Sequence, residues 1–185
     1  MSIEGIPAVA VWKIQEHDVK GNLISEREMK NLITNAGRTQ FFRNMFALSA
    51  SGGFVALGVG ASTTTAQVTD TRLTYELIGN AARKPLTNTS GAALSPADIV
   101  TATTTIVLNV TSTATFYQSL SCQAVWNSGD LNNGNQFGEY GLFTTATLPG
   151  TPTSTSGTMY NHLVDPNPTF KSAANQITAI VTVFY

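Results

Sequence analysis

Near the start of the chain, Ala8, Ala10, Trp12 and Ile14 alternate with Val9, Val11 and Lys13, and this pattern predicts the first strand of a β-hairpin. Residues 8–14 alternate with a period of two, residues 18–22 form a turn-prone cluster, and residues 23–33 return as a more charged strand. Charges on such a strand are typical of a sheet edge, where they discourage pairing with other chains. Residues 1–34 are therefore predicted to form an N-terminal hairpin.

A different spacing follows and predicts one α-helix. Asn35 is a suitable N-cap residue, and Ser-Gly-Gly at 51–53 ends the pattern. Between them, apolar side chains recur at three- and four-residue spacing: Phe41, Phe42, Met45, Phe46 and Leu48. We expect segment 35–51 to contain a helix over about residues 36–50, packed on a sheet by its apolar face.

The strand pattern returns in residues 54–185. Strands are predicted at 54–59, 106–110, 114–126, 140–147, 159–164 and 177–185. Two prolines in 165–168 should end the strand before them, because proline removes a ladder donor. Residues 70–78 fit a short helix or a strand equally well. The whole chain, 1–185, is predicted to be a single β-rich domain, an antiparallel β-sandwich of jelly-roll or immunoglobulin-like type with one helix.

Composition changes the picture at the surface. Only 11% of the residues are charged, whereas a soluble domain typically carries about 25%. The polar positions are filled by 27 Thr, 14 Ser and 14 Asn, which suit pleated strands and turns. Seventeen of the 21 charged residues precede residue 99, and only Asp130, Glu139, Asp165 and Lys171 follow it. We expect neighbouring subunits to cover much of the surface, especially in this charge-poor second half.

The charge balance also excludes classes of partner. A net charge of −1 does not attract nucleic acid or an anionic membrane, and the basic pair Arg83-Lys84 is too short for a nucleic-acid patch. No apolar run reaches the ~18 residues of a membrane helix. Glu4 and Pro7 do not fit a signal peptide. We expect a protein made in a cytoplasm, with no nucleic-acid and no membrane partner.

Few residues are available for catalysis. The chain has two histidines, His17 and His162, and contains no HExxH, CxxC or GxSxG motif. A lone histidine without a partner motif is usually structural, although the fold could bring these two together. The sequence therefore predicts no enzyme and no catalytic, cofactor-binding or metal-binding residues.

Three other groups have structural interpretations. Gly-Val-Gly at 58–60 lacks the third glycine of a dinucleotide-binding loop and is predicted to be a tight turn at a strand end. Asp130, Asn132 and Asn135 lack EF-hand spacing, so a hairpin turn is the main interpretation and a weak calcium site the alternative. Cys122, the single cysteine, lies on the apolar face of a predicted strand and indicates a buried, inert thiol.

Six segments, in their order along the chain, resemble those of small bacteriophage virion proteins. They are 31–37 (NLITNAG), 55–60 (VALGVG), 70–73 (DTRL) followed by Glu76 and Arg83, 138–143 (GEYGLF), 157–160 (GTMY), and the alternating final strand. Together they span most of residues 31–185. Proteins of this family are described as tail, tail-fibre-like or head-decoration proteins. The resemblance implies a β-sandwich present in many copies in a particle, and it brings no catalytic residues.

The sequence thus predicts a non-enzymatic structural component of a bacteriophage virion that acts by subunit–subunit packing. A capsid decoration (cement) protein is favoured by the small size and by the lack of a coiled-coil or collagen-like shaft. A tail, neck or tail-fibre protein is the alternative. The expected partners are other copies of the chain, in a homo-oligomer, and other virion proteins such as major capsid or tail proteins.

A second alternative is a carbohydrate- or receptor-binding β-sandwich. Its evidence is three aromatic residues that could stack on a sugar, Trp126, Tyr140 and Tyr160. Core and interface packing is the competing explanation of the same residues, and the sequence favours it.

Overall fold

The chain forms an antiparallel β-sandwich, as predicted, in a computed structural model that describes residues 9–37, 39, 53–79, 81–109 and 112–184. Its strands are β1 (Val9–Asp18), β2 (Leu23–Ile33), β3 (Ala56–Gly60), β4 (Arg83–Pro85), β5 (Ile99–Asn109), β6 (Ser112–Trp126), β7 (Asn133–Phe143), β8 (Met159–Ser172) and β9 (Asn175–Phe184). A short 3-10 helix, Pro96–Asp98, precedes β5.

The strands form two sheets that are joined at both sides. The first sheet has the order β5-β6-β9-β1-β2 and the second the order β4-β3-β7-β8. At one side, Leu32 and Ile33 at the end of β2 pair with β8. At the other side, Thr87, just after β4, pairs with Gln123 of β6. The N-terminal hairpin is therefore part of the sandwich, because β1 lies between β2 and β9.

An aromatic group fills the space between the sheets. Trp12, Trp126, Phe137 and Tyr140 are all fully buried. The ring centroids of Trp126 and Phe137 are 5.5 Å apart at a nearly perpendicular angle, and those of Trp12 and Tyr140 are 6.0 Å apart. Edge-to-face packing such as that of Trp126 and Phe137 is favourable beyond the area that it buries. The core is thus assembled from strands far apart in the sequence.

The strand β8 does not end at Val164, so the predicted break at the two prolines is wrong. Glu139 of β7 pairs with Val164, and Phe137 pairs with Thr169, so residues 165–168 face the single residue Gly138. This wide bulge takes the prolines out of the ladder, where no amide donor is required of them. Pairing then resumes, and β8 continues to Ser172.

Two other local predictions need correction. The N-cap of the helix that starts at residue 35 is Thr34 rather than Asn35, because the Thr34 hydroxyl accepts a hydrogen bond from the Gly37 amide (3.0 Å). The greater part of the predicted helix, 36–50, lies outside the described residues. Residues 70–78 form neither a helix nor a strand; they follow turns, with one isolated bridge between Gly60 and Glu76.

The hairpin of β5 and β6 extends beyond the end of β9. Among the described residues, β9 pairs with β6 from Ser119 to Trp126. The preceding part of β6, residues 112–118, pairs with β5 as its one described strand neighbour. We call residues 99–109 and 112–118 the projecting hairpin. Near its outer end, the Lys30 ammonium of β2 donates a hydrogen bond to the Val107 carbonyl.

Across the described ranges of the chain, no helix has the length and apolar character needed to cross a membrane.

Candidate functional site

A group of ionisable side chains lies buried against the second sheet. We call it the buried polar cluster, and it consists of Asp70, Glu76, Arg83, Glu139 and His162. The strand β7 carries Glu139, β8 carries His162 and β4 carries Arg83, while the other two lie between β3 and β4. The sequence did not single these residues out as a site. The available signal was charge inside otherwise apolar strands, as at Glu139 and His162.

The His162 ring lies between two carboxylates. Its Nδ1 is 2.7 Å from Asp70 Oδ2, and its Nε2 is 2.8 Å from Glu139 Oε2. The ring is 1% exposed and Glu139 is fully buried. Glu139 also accepts the backbone amides of Thr74 (2.8 Å) and Tyr75 (2.7 Å). These bonds fix the long β3–β4 connection to the strands β7 and β8.

Arg83 makes the second set of contacts in the cluster. Its guanidinium donates to Glu76 twice, Nε to Oε1 at 2.6 Å and Nη2 to Oε2 at 2.9 Å. Both side chains are 1% exposed. Nη1 donates to three backbone carbonyls, those of Thr145, Thr147 and Ser156, at 2.9–3.0 Å. Arg83 therefore ties the loop between β7 and β8 to β4.

Burial changes the pKa of Glu76. It raises the pKa of Glu76, although the hydrogen bonds and charge of Arg83 act in the other direction; the nearby charge of Glu139 adds to the increase. Arg83 also stacks on Phe143, with its guanidinium carbon 3.6 Å from the ring centroid. The Arg83 guanidinium therefore contacts the Phe143 ring with its face and makes hydrogen bonds at its edges.

The glycines at 58 and 60 lie within β3, so the predicted tight turn is wrong. A Cβ on Gly58 would lie 2.9 Å from the Phe143 ring and 3.2 Å from Glu76 Oε1. A Cβ on Gly60 would lie 2.6 Å from the Tyr75 carbonyl oxygen and would also overlap the Glu139 carboxylate. Glycine is needed here because the buried polar cluster packs directly against the backbone of the strand.

The cluster has the properties of a structural network. Both nitrogens of His162 are engaged, so neither is available as a base while the two carboxylates hold the ring. Among the residues that the structure describes, no group of three or more His, Cys, Asp or Glu is arranged to hold a metal ion. His162 pairs with Leu32, at the end of the β1–β2 hairpin where Ala10 pairs with Asn31. His17 lies seven residues beyond Ala10 on β1, which is roughly 23 Å at ~3.3 Å per residue. The two histidines do not meet.

The other candidate residues are also engaged in the fold. Asp130 accepts the Asn127 amide (2.8 Å) and pairs with the Lys84 ammonium (2.7 Å), so its carboxylate closes the turn before β7. Cys122 is buried as predicted, and desolvation raises the pKa of its thiol to about 12, which disfavours the reactive thiolate.

The three aromatic residues considered for sugar stacking are core residues. Trp126 and Tyr140 are fully buried, and Tyr160 is 1% exposed. The Trp126 indole donates to the Ala81 carbonyl (2.7 Å). None of the three presents a ring face to solvent, so packing is the correct explanation of these residues.

All four charged side chains of the second half are bound within the molecule. Glu139 belongs to the buried polar cluster, and Asp165 pairs with Arg27 of β2. Lys171 is fully buried and donates to the carbonyls of Ser172 (2.7 Å) and Asn175 (2.8 Å). Only Asp130 is partly exposed, and it pairs with Lys84. The second half therefore turns an essentially neutral surface outwards over its described residues.

The projecting hairpin is the most exposed part of that surface. Residues 99–129 contain no charged residue and no histidine. Val100 and Val107 are more than half exposed, and Tyr117 is 65% exposed. Apolar residues of this size on both strands of a two-stranded projection are unusual for a surface that stays in water.

Stability is expected to fall as the pH rises above neutrality because of His162. Burial lowers the pKa of this ring, but the hydrogen bonds and charges of Glu139 and Asp70 outweigh burial, and the net pKa is raised above 6.5. A raised folded-state pKa stabilises the fold fully below about pH 6.5, and the contribution is lost as the pH rises through the folded-state pKa. Melting temperatures from about pH 6 to about pH 9 should decline more steeply for the natural chain than for His162→Gln. Parallel slopes for the two proteins would contradict this role.

In comparison with known proteins, no family model matches the chain, and no curated protein or solved structure matches it.

Proposed function

We propose that this chain is a non-enzymatic structural subunit of a bacteriophage particle, and specifically a capsid decoration protein. The observation that carries the proposal is the location of the charged side chains. In the second half, all of them are bound within the molecule, and neutral Thr, Ser, Asn, Val and Ile side chains are exposed. Such a surface can be buried against a neighbour without the desolvation cost of a charge.

The segments that resemble phage virion proteins support the same proposal. Residues from five of the six segments build or line one place in the fold. Segment 31–37 supplies Thr34, whose hydroxyl donates to the Met159 carbonyl (2.8 Å) of segment 157–160. The other three supply the glycines of β3 and every residue of the buried polar cluster except His162. Proteins with a common architecture would share these residues in the same order, because the fold requires them.

The alternatives have less support in the molecule. A carbohydrate-binding module loses its candidate stacking residues, since all three aromatics are in the core. An enzyme would need a free base or nucleophile, whereas His162 is held at both nitrogens and Cys122 is buried. A tail or neck protein would use the same neutral surface, so position in the particle separates it from a decoration protein.

The test uses the purified chain and empty, expanded capsids of the phage that encodes it. We expect the chain to sediment with the capsids at a fixed ratio of copies and to increase their resistance to heating. Antibody labelling of intact particles gives the position. A label on the tail or neck would overturn the capsid assignment, and absence of the chain from purified particles would overturn the virion role.

A further inference from the structure

Over the described residues, β4, β2 and β5 are among the strands with an open side, and the first two of these are protected. At the end of the second sheet, β4 is only three residues long, Arg83–Pro85, and includes a proline. The strand β2 pairs with β8 only at Leu32 and Ile33, and the rest of its open side carries four charged residues, Glu26, Arg27, Glu28 and Lys30. Short length, proline and charge are the devices by which proteins prevent strands from pairing with other chains.

The third open strand, β5, has none of these protections. It is eleven residues long, Ile99–Asn109, and contains no charge and no proline. It pairs with β6 on one side, and no other described strand lies on its outer side. Its register is continuous over Thr104–Val107, between two irregularities. The Val107 carbonyl accepts a hydrogen bond from Lys30 of β2. The other amide and carbonyl groups on the outer side of β5 face no described strand and are available to continue the sheet.

The projecting hairpin also needs a neighbour for its own stability. A two-stranded hairpin is marginally stable in water unless a further strand or layer packs on it. Residues 112–118 have β5 as their one strand neighbour in the described chain. Phe116, packed against Phe184 at 5.9 Å between ring centroids, is the buried anchor at its base.

We propose that β5 pairs antiparallel with β5 of a second copy of this chain, about a two-fold axis, to continue the first sheet across a dimer. A second copy fits because the strand is neutral: identical Thr, Val and Ile side chains meet without like charges facing each other. A partner strand with charges would have to desolvate them against a strand whose own residues carry no charge. This inference rests on the proposed function, in which many copies are neighbours in one particle.

The test places opposite charges on the edge strand. Thr105 is exposed on β5, and its hydroxyl contacts that of Thr115 on β6 (3.3 Å). We expect the natural chain to sediment as a dimer. Thr105→Lys and Thr105→Glu alone should each raise the dimer dissociation constant by about tenfold or more, because like charges meet across the axis. An equimolar mixture of the two variants should restore the dimer.

Thr115 provides the matched control. It is exposed on the same hairpin and loses the same hydroxyl contact, but it lies one strand further from the proposed axis. Thr115→Lys and Thr115→Glu should change the dissociation constant by less than about threefold, because distance and salt screen the charges.

A natural chain that stays monomeric at high concentration would overturn the pairing, as would a dimer that Thr105→Lys and Thr105→Glu leave intact. These results are distinguishable from a failure of the proposed function. A monomer that still binds capsids would contradict only the strand pairing, whereas a dimer that is absent from particles would contradict only the virion role.

Discussion

Replacing Arg83 with alanine is expected to lower the free energy of unfolding by about 3–5 kcal/mol, because it leaves an uncompensated buried charge. The Glu76 carboxylate would lose both of its guanidinium bonds at a site that is 1% exposed. Three backbone carbonyls of the loop between β7 and β8 would each lose their hydrogen bond from the guanidinium. Urea unfolding, followed by tryptophan fluorescence, measures the change.

The neighbouring residue, Lys84, is the control for Arg83. Its ion pair with Asp130 is about one-fifth exposed on both sides. Lys84→Ala should cost only about 0–1 kcal/mol, as exposed pairs generally do. Equal losses from Arg83→Ala and Lys84→Ala would contradict the view that burial of the Glu76–Arg83 pair makes it a central support of the fold.

Glu139→Ala is the second substitution with a large expected effect, again about 3–5 kcal/mol, because a buried charged partner is removed. The buried carboxylate accepts three hydrogen bonds, from the amides of Thr74 and Tyr75 and from His162. Its loss would leave the imidazolium with one carboxylate and would release the β3–β4 connection. Hydrogen exchange of the Thr74 and Tyr75 amides should accelerate together with the loss of stability.

Asp70 is the matched control for Glu139, since it holds the other nitrogen of the same ring. Its side chain is 27% exposed, so water can replace it. Asp70→Ala is expected to cost about 1 kcal/mol, the ordinary net value of a hydrogen bond. If Asp70→Ala were as damaging as Glu139→Ala, the two carboxylates would be equivalent, and burial would not be the determining factor.

Stability and assembly depend on different parts of this molecule. The buried polar cluster holds loops onto the second sheet, whereas the open edge of β5 belongs to the first sheet. Substitutions in the cluster should therefore change the unfolding free energy far more than the dimer dissociation constant, and charges at Thr105 should do the reverse. This separation is expected because the hydrogen bonds and ion pairs of the buried polar cluster include no residue of β5, and sites without shared partners tend to behave additively.

Strand positions were the most predictable feature of this chain. The alternating residues of the final strand became β9, in which Ile177, Ala179, Val181 and Val183 face the core. The apolar face of 114–126 likewise placed Phe116, Cys122, Ala124 and Trp126 inside. Alternation is readable because successive side chains of a strand point to opposite faces, so one buried face leaves a period of two in the sequence.

Local sequence rules failed where residues distant in the sequence changed what the local backbone requires. Prolines at 166 and 168 did not end β8, because a bulge opposite Gly138 removed them from the ladder. The pattern Gly-Val-Gly at 58–60 predicts a turn, but both glycines lie within β3. Glycine is required there because a larger residue would collide with Phe143 or Glu139. Neither neighbour is close in sequence, so no local pattern could indicate the contact.

The sequence by itself determined most of the strands, the sandwich class and the neutral character of the second half. It did not predict β4, and it placed the starts of β5 and β7 at residues 106 and 140 rather than at Ile99 and Asn133. The tertiary structure decided which charges meet and which strand is left open. Glu139 and His162 are 23 residues apart, and Arg27 and Asp165 are 138 apart, so their pairing depends on sheet register. An open edge likewise exists only once strand order is fixed. Composition indicates that charges are few. Only folding turns the charges of the second half inwards and leaves one edge of β5 without a described strand neighbour.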